Sequence, residues 1–183
     1  DALTSGVDNV AIGRTSLGTS TTGCNNVAIG CAALGLAVTT GTNNIALGTN
    51  AMDALTSGAD NVAIGRTSLG ASTTGQLNIA IGCAALGLAV TTGEGNIALG
   101  ANAMDALTSG LCNVAIGSNA LGASTTGCLN IGIGYLALGA GVLTGIHNIG
   151  IGYVAGDALT SGYRNIAIGE NALSASTTGC LNI

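Results

Sequence analysis

The sequence predicts an all-β fold, a parallel β-solenoid in which coils of 17 or 18 residues stack on one another. Three observations lead there. A five-residue frame of Asn, Val or Ile, Ala or Gly, Ile or Leu, and Gly recurs along the whole chain. Gly supplies 32 of the 183 residues, whereas Pro, Phe and Trp are absent. The segment DALTSG returns every 52 residues, which corresponds to three coils, and a fixed period of this kind indicates a repeat architecture.

The frame asparagine sets the period, because successive copies lie 17, 18 and 17 residues apart in turn. Helical repeats need about 30 to 45 residues for a pair of helices, so this period is too short for them. It suits one coil of a β-solenoid, with Gly at the corners. Equivalent side chains on stacked coils form ladders, and we expect a structural ladder of amides here. Its members are Asn9, Asn26, Asn44, Asn61, Asn78, Asn96, Asn113, Asn130, Asn148 and Asn165.

Alternation of side chains along a strand predicts which frame residues point into the coil. The second and fourth frame residues are always aliphatic, as in Val27 and Ile29, and we expect them to face the core. Leu34 and its equivalents in the other coils supply a second inward column. Gly156 interrupts that column, and we expect a local gap there. Replacing Ile64 with Asp should then abolish folding, because it would bury an unpaired charge.

The middle residue of the frame, which is Ala or Gly, is accordingly expected to face outward. A second segment reads A-S-T-T, A-V-T-T or A-L-T-S. Its outward residues are either the Ala-x-Thr pair or the alternate Ser/Val/Leu-x-Thr pair, and the sequence leaves both open. Flat faces of small side chains predict a contact surface. The predicted self-association face consists of Ala11, Ala28, Ala46, Ala63, Ala80, Ala98, Ala115 and Ala167.

The charge pattern excludes several classes of partner. The net charge is -5, and the only basic residues are Arg14, Arg66 and Arg164, so we expect no nucleic-acid binding. Residues 129–156 carry no formal charge apart from His147, but polar residues interrupt them, so we expect no membrane span. No signal peptide is visible. Both ends fall within a coil, and we interpret residues 1–183 as a single solenoid array excerpted from a longer protein.

The six cysteines do not show the C-x-x-C spacing of zinc sites. Cys31 and Cys83 occupy equivalent places three coils apart, about 14 Å along the axis. A disulfide needs Cα atoms within roughly 7 Å, so these two are either free or linked to neighbouring chains. Cys112 and Cys128 lie at one corner of adjacent coils, offset by one residue. A disulfide between Cys112 and Cys128 and a pair of free thiols are equally open.

The sequence offers no support for catalysis or metal binding. His147 is the only histidine and lies near Cys128, without the oxyanion device that a nucleophilic site would need, and we interpret it as a surface residue. One aspartate recurs every three coils, which is too sparse for a calcium row. These aspartates are Asp1, Asp53, Asp105 and Asp157. We therefore expect no enzyme activity, no cofactor and no metal.

The residues N-V-A-I-G at 26–30, followed by C-A-A-L at 31–34, resemble the head repeats of YadA-like trimeric autotransporter adhesins. They are also similar to the N-T-A-I-G-type repeats of phage tail fibres and bacterial surface proteins. The resemblance covers essentially the whole chain. It implies a left-handed parallel β-roll, self-association as a trimer or filament, and a location outside the cell, on a cell surface or on a virion. It implies no catalytic residues.

These observations predict a structural or adhesive fibre segment whose partners are further copies of the chain and a host-surface or matrix ligand. The alternative is an ice-binding solenoid, because one Thr column is nearly unbroken. That column reads Thr21, Thr39, Thr56, Thr73, Thr91, Thr108, Thr125, Leu143, Thr160 and Thr177.

Overall fold

The computed structural model describes residues 5–183 and confirms the parallel β-solenoid. These residues contain ten short strands and no helix, and the strands form one parallel sheet in chain order. Asp1 and its copy of the DALTSG segment up to residue 4 lie outside the described residues. The strands are β1 (Val10–Ile12), β2 (Val27–Ile29), β3 (Ile45–Leu47), β4 (Val62–Ile64), β5 (Ile79–Ile81), β6 (Ile97–Leu99), β7 (Val114–Ile116), β8 (Ile131–Ile133), β9 (Ile149–Ile151) and β10 (Ile166–Ile168).

Neighbouring strands pair without any shift in register, so each frame position becomes a column along the solenoid axis. Ala46 of β3 pairs with Ala63 of β4, for example, and Ala63 pairs with Ala80 of β5. Backbone hydrogen bonds continue before and after the strands, as from Val27 N to Asn44 O at 2.8 Å. Adjacent coils therefore lie about 4.8 Å apart, and the sheet spans ~43 Å from β1 to β10.

The frame asparagines form a buried ladder inside the coils. From Asn26 to Asn165 they are fully buried. The Nδ2 of Asn96 donates to Asn78 Oδ1 at 3.1 Å and to Gly110 O at 2.9 Å. The Oδ1 of Asn96 accepts from both the backbone N–H and the side-chain amide of Asn113, each at 3.0 Å. Each amide thus links three coils and fixes the corner that precedes the next frame, which satisfies these buried polar groups.

The inside–outside assignment predicted for the frame is wrong. The middle residue of the frame is buried in the interior coils, with an exposed fraction of 0% or 1% at Ala28, Ala46, Ala63, Ala80, Ala98, Ala115 and Ala167. Ala11 is accessible only because it belongs to the first frame of the stack. The reason is strand alternation, since the inward Asn and the Ala two residues later share one side of the strand. Val27 and Ile29 therefore point outward, and Ile29 is 37% exposed.

The second inward column is Leu or Met, as predicted, and Leu34, Met52 and Leu86 are fully buried. The gap predicted at Gly156 is absent. A Cβ on Gly156 would lie 2.7 Å from Leu138 Cδ2 and 3.3 Å from Leu159 Cδ1, so Leu138 of the preceding coil and Leu159 of the same coil fill that space. The interior is therefore a single thin layer in which alanine methyl groups face leucine side chains.

The turns of each coil use left-handed backbone conformations at non-glycine residues. Within one coil, Thr67, Leu69 and Leu77 have φ values of 56°, 48° and 57°. The frame glycine Gly65, with φ of 133°, occupies a region that side chains rarely adopt. Gly58 has a different role, because a Cβ there would collide with the carbonyl oxygen of Gly75 in the next coil.

Candidate interaction surfaces

The outward side chains of the ten strands form one continuous apolar surface, which we call the aliphatic face. It contains no polar side chain, and in the inner strands the exposed fraction is 37% at Ile29, 36% at Ile64 and 39% at Ile81. Its members are Val10, Ile12, Val27, Ile29, Ile45, Leu47, Val62, Ile64, Ile79, Ile81, Ile97, Leu99, Val114, Ile116, Ile131, Ile133, Ile149, Ile151, Ile166 and Ile168.

The aliphatic face is unusual for a parallel sheet. Parallel sheets in proteins are generally covered on both faces, which explains their runs of Val, Ile and Leu. Here one side of the sheet lies on the Ala and Asn columns, and the other side has no covering element among residues 5–183. With ~43 Å of length and a width of roughly 10 Å, the face approaches the size at which apolar patches mark contact sites.

A second surface carries threonine hydroxyls, and its composition differs from the predicted Thr column. Thr39 and Thr91 are fully buried, and the Thr39 hydroxyl donates to Leu55 O at 3.0 Å. In the 18-residue coils the next residue points outward instead. The outward column is therefore unbroken and consists of Thr21, Thr40, Thr56, Thr73, Thr92, Thr108, Thr125, Thr144, Thr160 and Thr177.

Between the inward Leu and this Thr column, the 18-residue coils have two more residues than the 17-residue coils, and after the column they have one fewer; the longer stretch forms a protruding bulge. Side chains of that segment alternate between outward and inward positions. Leu36 is 65% exposed and Val38 is 54% exposed, whereas Thr39 is buried. Leu88 and Val90 repeat this arrangement at 68% and 56%. Both predicted alternatives for the second segment are therefore incomplete, because coils of different length present different residues to solvent.

All six cysteines are free thiols in the structure, including the pair Cys112 and Cys128. The Sγ of Cys128 accepts a hydrogen bond from Leu111 N at 3.3 Å. Cys112 Sγ instead lies beside Gly95 of the preceding coil, 3.4 Å from the position that a Cβ on this glycine would take. The one-residue offset thus directs the two sulfur atoms to different columns.

Cys31 and Cys83 occur in identical surroundings. Arg14 Nη2 donates to Cys31 Sγ at 3.2 Å, and Arg66 Nη2 donates to Cys83 Sγ at 3.0 Å. The hydrogen bond to Cys31, with a further electrostatic contribution from the same side chain, raises the pKa of Arg14. The two thiols remain partly exposed, and the cross-link to another chain that the sequence allows stays a prediction.

The same outward column carries two tyrosines in the later coils. The rings of Tyr135 and Tyr153 are stacked, with centroids 5.3 Å apart and an angle of 17° between their planes. Sequence reasoning missed this pair, although the 18-residue separation of the two tyrosines places them in adjacent coils at the same position. Stacking of equivalent residues is what an in-register solenoid produces wherever a column repeats an aromatic residue.

The histidine and the acidic residues do not gather into a metal centre. His147 is exposed at a corner, where its backbone N–H donates to Cys128 O at 3.2 Å. Within residues 5–183 no group of three or more His, Cys, Asp or Glu side chains is placed to hold a metal ion. The same part of the chain has no helix with the length and hydropathy needed to cross a bilayer.

Comparison of the chain with protein-family models, with curated proteins and with solved structures finds no match.

Proposed function

We propose that the chain is a non-enzymatic, self-associating segment of an extracellular fibre, and that its copies join through the aliphatic face. The observation that supports this proposal is the set of outward Val, Ile and Leu side chains on all ten strands, which are half-buried or exposed. The contact surface differs from the predicted alanine face because the alanines are buried. The resemblance to adhesin and tail-fibre repeats supports the same function and a surface location.

The energetics favour association through this face. Burial of apolar surface contributes roughly 25 cal/mol per Å², and each exposed Ile leaves a substantial part of that contribution unused. Sheets that pack face to face lie about 10 Å apart, so aliphatic side chains from two flat faces can interdigitate. Because equivalent residues repeat along the axis, a partner copy meets the same side chains in every coil. A trimer and a filament both satisfy this geometry.

An adhesive role places a second kind of partner on the variable surfaces. The corners and the column that carries Arg14, Cys31 and Tyr135 differ from coil to coil, whereas the aliphatic face does not. We assign recognition of a host-surface or matrix ligand to those variable positions and assembly to the constant face. No cofactor is part of this proposal.

The test replaces three central residues of the face together, Ile64→Lys, Ile81→Lys and Ile116→Lys. Sedimentation velocity should show monomers in place of oligomers, while circular dichroism should retain the β signal, because these side chains point outward. The matched control places three lysines on the exposed hydroxyl side, Thr22→Lys, Thr74→Lys and Thr126→Lys, and should still assemble. Assembly of the isoleucine variant to the wild-type extent would refute the proposal.

A second candidate function is ice binding, which the unbroken outward Thr column favours. Ten threonines at about 4.8 Å spacing form a regular row of hydroxyl and methyl groups. Several hydroxyls are already used within the stack, however, as Thr56 Oγ1 donates to Thr73 O at 3.0 Å and Thr108 Oγ1 donates to Thr125 O at 3.0 Å. Thermal hysteresis of the monomeric lysine variant separates the two candidates. A hysteresis that is lost on changing Thr73 and Thr108 to Val would establish ice binding.

A further inference from the structure

An open groove lies beside the second protruding bulge, on a side of the coil that the proposed function does not use, and the first bulge repeats its lining residues. The groove at the second bulge is lined by Leu88, Ala89, Asp105 and Ala106 and encloses about 270 Å³. Leu88 and Ala89 belong to an 18-residue coil, and Asp105 and Ala106 belong to the next coil. Ala89 N donates to Asp105 O at 3.0 Å, so the backbone fixes the two walls relative to each other.

The column that contains the groove aspartate otherwise holds glycine in the neighbouring coils. The residue after the inward Leu or Met is Gly in the coils on both sides of Asp105, at Gly87 and Gly122. The same arrangement surrounds Asp53, and one of its carboxylate oxygens lies 3.4 Å from the position that a Cβ on Gly70 would take. At Gly70 an added side chain would take the space beside the Asp53 carboxylate, whereas at Gly87 it would collide with the backbone of Thr67 and Ala84.

The carboxylate also lacks a positive partner. The nearby backbone N–H groups of Asp105 and Ala106 offset part of the rise in the pKa of Asp105, and no ion pair reaches it within residues 5–183. Partial burial raises the pKa of Asp105, and the same cause raises the pKa of Asp53. At the third bulge, Asp157 Oδ1 is buried without any hydrogen-bond partner. A desolvated carboxylate of this kind gains most from a ligand that brings a positive charge and hydrogen-bond donors.

We propose that each groove binds an aliphatic ammonium group, and that the stack binds a linear aliphatic polyamine along its axis. The ammonium would donate to the Asp carboxylate, and the alkyl chain would cover the adjacent Leu, which is 65% exposed at Leu36 and 68% at Leu88. An alkyl ammonium matches both walls because it joins a compact cation to an apolar chain. The chain contains no Lys, so its own residues cannot supply this group.

The spacing of the grooves selects a polyamine over a single amine. Successive aspartates lie three coils apart, about 14 Å, which a linear polyamine such as spermine can span. Two grooves that bind one ligand raise its affinity through effective concentration. The third groove differs, because Ala140 and Gly141 replace the Leu–Ala wall and Ser174 replaces the glycine that would follow Asp157 in the next coil. It should therefore bind most weakly.

The first experiment measures binding of n-butylammonium from the amide NMR shifts of Ala89 and Ala106. The double variant Asp53→Asn and Asp105→Asn should lose binding at least roughly tenfold, as expected for removal of a charge-assisted hydrogen bond. The matched control Asp60→Asn and Glu94→Gln removes the same charge from exposed corners and should bind as the wild type does. Equal losses in the two double variants, or equal affinity for methylammonium and n-butylammonium, would overturn the proposal.

The second experiment tests the spacing with two polyamines. Spermine should bind the wild-type protein more tightly than putrescine, which is too short to reach from one groove to the next. Asp105→Asn removes the central groove and should abolish most of that advantage, whereas Asp60→Asn should preserve it. A spermine advantage that survives Asp105→Asn would show that general electrostatic attraction accounts for binding, and would refute the bridging of grooves.

Discussion

The coils at residues 96–112 and 148–164 occupy the same place in successive three-coil units, yet their interiors differ. The first has Ala98 and Met104 at its inward positions, and the second has Gly150 and Gly156. In the second coil, Leu138 of the preceding coil fills the space, because its Cγ and Cδ2 lie 2.8 Å and 2.7 Å from the Cβ positions of Gly150 and Gly156. The solenoid therefore fixes the volume shared by neighbouring coils, and a side chain missing from one coil is replaced by a side chain of the preceding coil.

The largest expected effect comes from overfilling the Ala column where the coils are regular. Ala63→Lys would bury a charge in the thin core next to the Asn ladder and should cost about 5 kcal/mol or more, enough to prevent folding. The adjacent substitution Ile64→Lys places the same side chain on the outward face and should change the free energy of unfolding by less than about 1 kcal/mol in the monomer. Urea unfolding followed by circular dichroism measures both, and a folded Ala63→Lys protein would contradict the inward assignment.

The next largest effect comes from removing an asparagine of the ladder. It should be the same in the coils at residues 96–112 and 148–164, since the ladder is unchanged between them. Asn148 donates to Asn130 Oδ1 at 3.1 Å and to Gly162 O at 2.8 Å, as Asn96 does with its own neighbours. Asn96→Ala and Asn148→Ala should each lower the free energy of unfolding by about 3 kcal/mol, because each leaves several buried groups without partners.

The control for the ladder variants is Asn43→Gly, which removes an exposed corner amide at a position where Gly95 stands in a later coil. Its effect should stay within about 0.5 kcal/mol. A difference of more than about 1 kcal/mol between Asn96→Ala and Asn148→Ala would show that the altered interior changes the ladder as well.

The sequence was sufficient for the period, the parallel stacking, the Asn ladder and the Leu column. It also contained the information needed to orient the frame. Asn26 and Ala28 lie two residues apart on one strand and therefore share one side, so an inward Asn required an inward Ala. Hydrophobicity alone suggested Val27 and Ile29 for the core. The hydrophobic rule failed because the outward face is itself apolar, which is the property that points to assembly.

The sequence did not predict that the 18-residue coils add two residues before the Thr column and omit one after it. The segment T-T-G looks the same in coils of either length, so Thr39 and Thr40 exchange roles without any local signal. The groove beside the second bulge was missed for the same reason, since its two walls come from a longer coil and from the Asp-containing coil that follows it. Volume exchange between coils, as at Leu138, depends on side-chain packing that a single column does not reveal.

A smaller effect sharpens the comparison between the two interiors. Gly150→Ala introduces the residue that the regular coils carry, yet it should destabilise the protein by about 1 to 3 kcal/mol, because the new Cβ would overlap Leu138. Gly156→Leu should be destabilising for the same reason. The double variant should cost less than the two single changes together, since both favour returning Leu138 to its own coil. Additive losses in a thermodynamic cycle would refute the shared-volume explanation.

The smallest expected effect concerns the groove aspartate of the regular coil. Burial raises the pKa of Asp105 in the folded protein above its unfolded value, which is about 3.9. Between these two pKa values the folded state binds more protons than the unfolded state, so this group lowers stability as pH rises through that window. Asp105→Asn should therefore match the wild type near the unfolded pKa and be slightly more stable at neutral pH. Urea midpoints at the two pH values measure this, and Glu94→Gln, which removes an exposed carboxylate, is the matched control.

The effect should be small because the groove is open to solvent, which screens the carboxylate. A loss of stability in Asp105→Asn at neutral pH would mean that the carboxylate has a stabilising partner, and the groove would then have no need of a cationic ligand.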